Sequence, residues 1–136
     1  MAVGLEKINQ YDENAIKAVG AFGGGIASSG AVCGTLLGAI AAVSSLHSRG
    51  SLEERENPRV WGVSNKLIKQ FNQLTEPYGG SDCKDIARIN WSNHDEVKNF
   101  YSNPDSTRKE CVQLVGDFAF ALGEILEKEM ARLEKQ

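Results

Sequence analysis

Apolar residues recur along this chain at the three- and four-residue steps of a helix, while the alternation of a half-buried strand is almost absent. Ile16, Val19 and Phe22 mark a first helix over about Asp12 to Phe22, ended by the run Gly23-Gly24-Gly25. Ser28 or Ser29 then caps a second helix, which carries Val32, Leu36, Leu37, Ile40, Val43 and Leu46 to about Ser48. That segment is apolar nearly all round, as a central helix is. Gly34, Gly38 and Ala42 share one of its faces, where another backbone can approach closely.

After the charged loop Arg49 to Glu56, Asn57-Pro58 supplies a cap followed by proline at the first helical position. A third helix is predicted from there to about Glu76, with Val60, Trp61, Ser64, Leu67, Ile68, Phe71 and Leu74 on its inner stripe, and Pro77-Tyr78-Gly79-Gly80 ends it. Ser81 or Asp82 caps a short turn through Cys83 and Ile86, and the Asn-, Ser- and Asp-rich stretch up to Ser106 reads as irregular. Thr107-Arg108-Lys109-Glu110 has the capping-box pattern and opens a long helix to about Leu133. Its inner face is predicted to carry Cys111, Leu114, Val115, Phe118, Leu122, Ile125, Leu126 and Leu133. The pattern predicts an all-α, single-domain helical bundle of about four to five helices over residues 1–136, with no internal repeat.

Length and charge narrow the function. At 136 residues the chain can bury roughly two thirds of the surface it exposes when unfolded, enough for a true core. A net charge of -3, from 15 basic and 18 acidic residues interspersed along the chain, offers no basic field to collect phosphates, so no nucleic-acid partner is expected. Met1 to Gln10 lacks a positive cluster followed by an apolar run, and the apolar stretch Leu36 to Val43 is too short to span a bilayer. A cytoplasmic protein with no membrane partner is the expectation.

The three cysteines, Cys33, Cys83 and Cys111, carry the candidate chemistry. An odd number without an export signal argues for free thiols, metal ligands or redox cysteines rather than a disulfide framework. Each falls at or near a predicted helix start, where unpaired N–H groups favour a thiolate, and three such starts can be gathered into one pocket. Core packing is the plain alternative, since a free cysteine behaves as a small hydrophobe. The loop Gly23-Gly24-Gly25 running toward a helix start could cradle an anion, or simply give the turn its flexibility. His47 and His94 belong to no ligand spacing and read as surface or capping residues, either of which could supply a fourth metal ligand, and the charged segment Glu124 to Gln136, Glu129 included, reads as a solvated helix face.

Taken in order, Phe22-Gly23-Gly24-Gly25-Ile26, Cys33-Gly34-Thr35-Leu36-Leu37-Gly38-Ala39, Gly80-Ser81-Asp82-Cys83 and Cys111-Val112-Gln113-Leu114-Val115 resemble the redox-active family named for its C_GCAxxG_C_C cysteine pattern. The resemblance covers nearly the whole chain and extends to the split-Soret cytochromes, where a similar domain accompanies haem and an iron-sulfur cluster. It implies an all-helical domain and a cysteine-based redox or metal function, with Cys33, Cys83 and Cys111 matching the family's second, third and fourth cysteines. Gly23, Gly24, Gly25 and Gly34 are taken as the candidate cofactor-binding glycines, and a redox partner protein, not identified by the sequence, is expected. This chain departs from the pattern: no cysteine precedes Cys33, Thr35 replaces the motif's Ala, and C-x-x-C-H is absent.

Three expectations compete. The thiolates hold an iron-sulfur cluster or another thiophilic metal, with the fourth ligand from His94, Asp82 or a second copy of the chain in a homodimer. Alternatively, Cys33 is an activated thiol resolved by Cys83 or Cys111, which requires no cofactor. In the third, the chain is a metal-free helical interaction module with a degenerate cysteine site.

Overall fold

A computed structural model describes residues 1–135, and these contain seven α-helices and no strand longer than a single bridge. In chain order they are α1 (Ala2–Lys7), α2 (Glu13–Ala18), α3 (Gly34–His47), α4 (Arg59–Thr75), α5 (Cys83–Ala87), α6 (His94–Ser102) and α7 (Arg108–Leu133). The all-α class holds, but the helix count exceeds the four to five predicted. The additions are α1, a six-residue helix too short to show a periodic stripe, and α6, which lies inside the stretch read as irregular. In α6 the Asn93 side chain accepts from the Asp95 and Glu96 backbones, so the polar residues of that stretch are a helix start.

The core forms where α3, α4 and α7 meet, with α1 closing one side and α5 packed on α7. Leu36, Ala39 and Val43 of α3 face Val63, Leu67 and Phe71 of α4 and Leu114, Phe118, Leu122 and Leu126 of α7. Phe71 and Phe118 meet edge to face at 4.8 Å. Two expected inner residues stand outside. Trp61 follows Val60 by one position and Val115 follows Leu114 by one, a rotation of about 100° each, and they are 66% and 48% exposed.

The small-residue face of α3 receives three backbones. A Cβ on Gly34 would lie 2.5 Å from the Phe22 carbonyl oxygen, one on Gly38 3.1 Å from Met1 N, and one on Gly4 of α1 2.5 Å from the Ala42 Cβ. Side chains here would hold α1 and the glycine loop away from α3.

The helix before it ends earlier than predicted, at Ala18, and a short 3-10 turn continues over Gly20–Phe22. The next starts later, with Cys33 as its N-cap residue rather than Ser28 or Ser29. Between them, five consecutive residues are left-handed: Gly24, Gly25, Ile26, Ala27 and Ser28, with φ from +52° to +69°. Three of these are not glycine, and left-handed backbone costs an L-residue about 1–2 kcal/mol. Closely knit hydrogen bonds over Ala21 to Ala31 offset this, including Ala27 N–H to Ala21 O and Ala31 N–H to Gly25 O.

Candidate functional site

The loop's last hydrogen bonds reach across the molecule. Val32 and Asp82 form an isolated antiparallel bridge. On either side of it Cys33 N–H donates to Ser81 O at 3.2 Å and Cys83 N–H to Ala31 O at 2.7 Å. In such a pairing the residues flanking the bridge point to one side together. Cys33 and Cys83, fifty residues apart in sequence, therefore share a face, on a diagonal that spans about 7–8 Å in a regular ladder. The bridge thus sets the starts of α3 and α5 side by side.

Cys111 joins them from the first turn of α7. The expected capping box is not formed, because both of its side chains take tertiary partners: Thr107 Oγ1 donates to Ala87 O at the end of α5, and Glu110 pairs with Arg88 at 2.6 Å. These contacts dock the start of α7 on the end of α5.

All three cysteines, each partly buried and unbridged, line one cavity of about 380 Å³. Gly23, Gly24 and Gly34 lie in its wall, together with Phe22, Trp91 and Phe100. Gly25 sits behind the wall. A Cβ there would be 2.6 Å from the Cys83 Cβ and would collide with the Ala31 carbonyl, the acceptor of Cys83 N–H. Gly25 and Gly34 are therefore required by close backbone approach, which was expected for Gly34 from its place on the small-residue face of α3 but not for Gly25.

At Cys83 and Cys111 the electrostatics run against the expectation of thiols activated at helix starts. Burial pushes the Cys83 thiol up, with further repulsion from Cys33 and Asp82, while the Trp91 indole N–H acts in the opposite sense. Cys111 rises from 9.0 to about 11, through burial first and then repulsion from Cys83, Cys33 and Glu110. That rise corresponds to roughly 3 kcal/mol, whereas a helix terminus supplies about 0.3–1 kcal/mol. Desolvation wins, and α5, with five residues, has few peptide dipoles to oppose it.

None of the candidate fourth ligands lines the cavity. His47 closes the far end of the fourteen-residue α3, about 20 Å along its axis, and is buried rather than on the surface. Its Nε2 is 3.6 Å from Glu129, which also belongs to the core instead of the solvated face and pairs with Arg59. His94 is exposed at the start of α6, and Asp82 lies beside Lys84 at 3.8 Å. The cavity wall contains no histidine or carboxylate, and among the described residues no three His, Cys, Asp or Glu side chains are gathered so as to hold a metal ion. Iron-sulfur clusters generally take four protein ligands. The residues present do not make up such a set.

Trp91, like Phe100, is a cavity residue that sequence reasoning missed. It lies in the stretch read as irregular, and its signal was only that of a large amphipathic ring among polar neighbours.

No helix among the described residues is long and apolar enough to cross a membrane. Neither a curated protein nor a solved structure has significant similarity to the chain. A family model does match, over residues 1–125, and its description is "Putative redox-active protein (C_GCAxxG_C_C)". With that match spanning nearly its full length and its cysteines lining one cavity, the chain belongs to the C_GCAxxG_C_C family.

Proposed function

We propose that this protein works by thiol–disulfide exchange, cycling Cys33 and Cys83 between two thiols and a disulfide, with Cys111 as a third thiol of the same cavity. The observation that carries this reading is the placement of Cys33 and Cys83 on one face of the Val32–Asp82 bridge, in a cavity whose wall offers no histidine or carboxylate to complete a ligand set. Two thiols suffice for such chemistry, whereas the metal reading needs a ligand set that these residues do not supply.

In the oxidising half-cycle the Cys33 thiolate attacks one sulfur of a substrate disulfide. The substrate S–S bond breaks, a mixed disulfide forms on Cys33, and one substrate thiolate leaves and takes up a proton. Cys83, deprotonated, then attacks the Cys33 sulfur, forming the Cys33–Cys83 bond and releasing the second substrate thiol. Two electrons pass to the substrate, and the reverse sequence restores the dithiol. Cα separations in disulfides fall below about 7 Å, so closure requires the bridge diagonal to tighten, and the absence of regular sheet on either side of the single bridge leaves it free to do so.

Equilibration in glutathione buffers of graded potential, followed by mass spectrometry of the alkylated protein, tests this. A single two-electron transition is expected, lost in Cys33→Ser and in Cys83→Ser and retained in Cys111→Ser. Absence of an intramolecular disulfide at every potential would overturn the proposal. So would stoichiometric iron and sulfide after oxygen-free purification, lost on replacing the three cysteines, which would establish the thiolates as ligands.

A further inference from the structure

The loop joining α5 to α6 holds Trp91 in a defined position. Arg88 reverses the chain with φ +53°, Asn90 Oδ1 accepts from Ser92 N–H, Asn90 N–H donates to Glu96 Oε2 at 2.7 Å, and Asn93 N–H returns to Asn90 O. The indole packs edge to face on Phe100 at 5.4 Å, and its Cδ1 comes within 3.8 Å of where a Gly30 Cβ would be. Both rings face the cysteine cavity.

The indole Nε1–H is shut off from solvent and meets no acceptor with ordinary hydrogen-bond geometry. A buried donor in that state costs about 1–3 kcal/mol, and native structures retain few of them. A partner is available only conditionally. A thiol sulfur is a weak acceptor, but a thiolate is a strong one, and Cys83 lines the same cavity. Around Cys83 the other facing groups are Cys33 at the start of α3, Cys111 in α7 and Asp82 beside it, all anionic when ionised, so Trp91 is the group that favours its charged form.

We propose that the Trp91 indole N–H is a donor held in reserve for the sulfur of Cys83, which it hydrogen-bonds once that sulfur becomes a thiolate. Trp91 is then a positioning residue. When an external thiolate opens the disulfide at Cys33, Cys83 is the leaving sulfur, and a hydrogen bond to it speeds departure and favours the reduced form. This inference rests on the exchange reading for its consequence, though not for its test.

The reduced, nitrogen-15-labelled protein has two indole N–H signals, one of them from Trp61, which is mostly solvent-exposed and serves as an internal reference. The Trp91 signal is expected to move downfield as Cys83 ionises. That movement should be absent in Cys83→Ala and present in Cys111→Ala. Substituting 3-benzothienylalanine at position 91, which keeps the ring's shape and removes the N–H, should raise the pH midpoint of Cys83 alkylation by about half a unit or more, and Trp91→Phe should raise it in the same direction. An indole signal indifferent to Cys83, or an unchanged midpoint with the isosteric ring, overturns the proposal. Both measurements use the dithiol, so they decide the role of Trp91 even if the Cys33–Cys83 disulfide never forms.

Discussion

Replacing Gly25 by alanine perturbs the point where the left-handed loop, the bridge and the cysteine cavity meet. Gly25 has φ +69°, which costs an alanine about 1–2 kcal/mol. The added methyl would lie 2.6 Å from the Cys83 Cβ and closer still to the Ala31 carbonyl oxygen. Neither obstacle is the free end of a flexible side chain, so the bridge itself must open. Overpacking typically costs about 1–3 kcal/mol, and weakening the 2.7 Å bond from Cys83 N–H to Ala31 O costs about 1 kcal/mol more. The total, about 3–6 kcal/mol, is a large share of the roughly 7–20 kcal/mol expected for a chain of this length. Gly25→Ala should therefore fold with a much lower midpoint of urea unfolding, and its Cys33–Cys83 disulfide should form at lower yield. Gly116→Ala supplies the control, because a Cβ there meets open space within α7 and should stabilise by about 0.5–1 kcal/mol. If Gly25→Ala unfolds within about 0.5 kcal/mol of the parent chain, a range typical of surface substitutions, the backbone contact does not hold the cavity together.

Three further outcomes are expected. Arg59→Met strands the buried Glu129 carboxylate and should cost about 3 kcal/mol in urea unfolding, most of it recovered when Glu129→Met is added. Burial lowers the His47 pKa from 6.5 despite the neighbouring Glu129, so the unfolded chain takes up that proton first and stability should fall as pH drops below about 6.5; in His47→Leu this loss should vanish, leaving only the fall at lower pH from carboxylates such as Glu129, and an unchanged acid limb would contradict a neutral buried imidazole. For Cys111 the sign reverses: the unfolded thiol ionises near 9 while the folded one keeps its proton to about 11, so about 2–3 kcal/mol of stability present below pH 9 should be lost by pH 11 and be missing from the alkaline limb of Cys111→Ala.

Local sequence determined the parts whose signals are local. The stripes of α4 and α7 were legible because these long helices repeat their apolar positions often enough to fix a face, α3 was legible as central because it is apolar nearly all round, and Asn57-Pro58 marked a start within two residues of the observed one. Asn57 Oδ1 does accept from Arg59 N–H. The small residues Gly34, Gly38 and Ala42 announced a close approach without saying whose backbone would make it. The family pattern named the cysteines, and their order along the chain was enough for that.

What lay beyond the sequence depended on partners distant along the chain. The capping box of α7 failed because Ala87 and Arg88 offered Thr107 and Glu110 better partners than the helix end did. Serines at 28 and 29 looked like caps, yet the backbone there is committed to a left-handed turn held both by its own hydrogen bonds and by the bridge to Ser81–Lys84. His47 and Glu129 have the composition of surface residues, and it is the crossing of α3, α4 and α7 that buries them together. The same holds at the site: the ionisation of Cys83 and Cys111 depends on how much water the assembled cavity excludes, which opposes and outweighs the helix-start effect visible in sequence. Trp91 enters that cavity only because the α5–α6 loop folds back over it. A side chain's neighbours across space, unlike its neighbours along a helix, have no period to read.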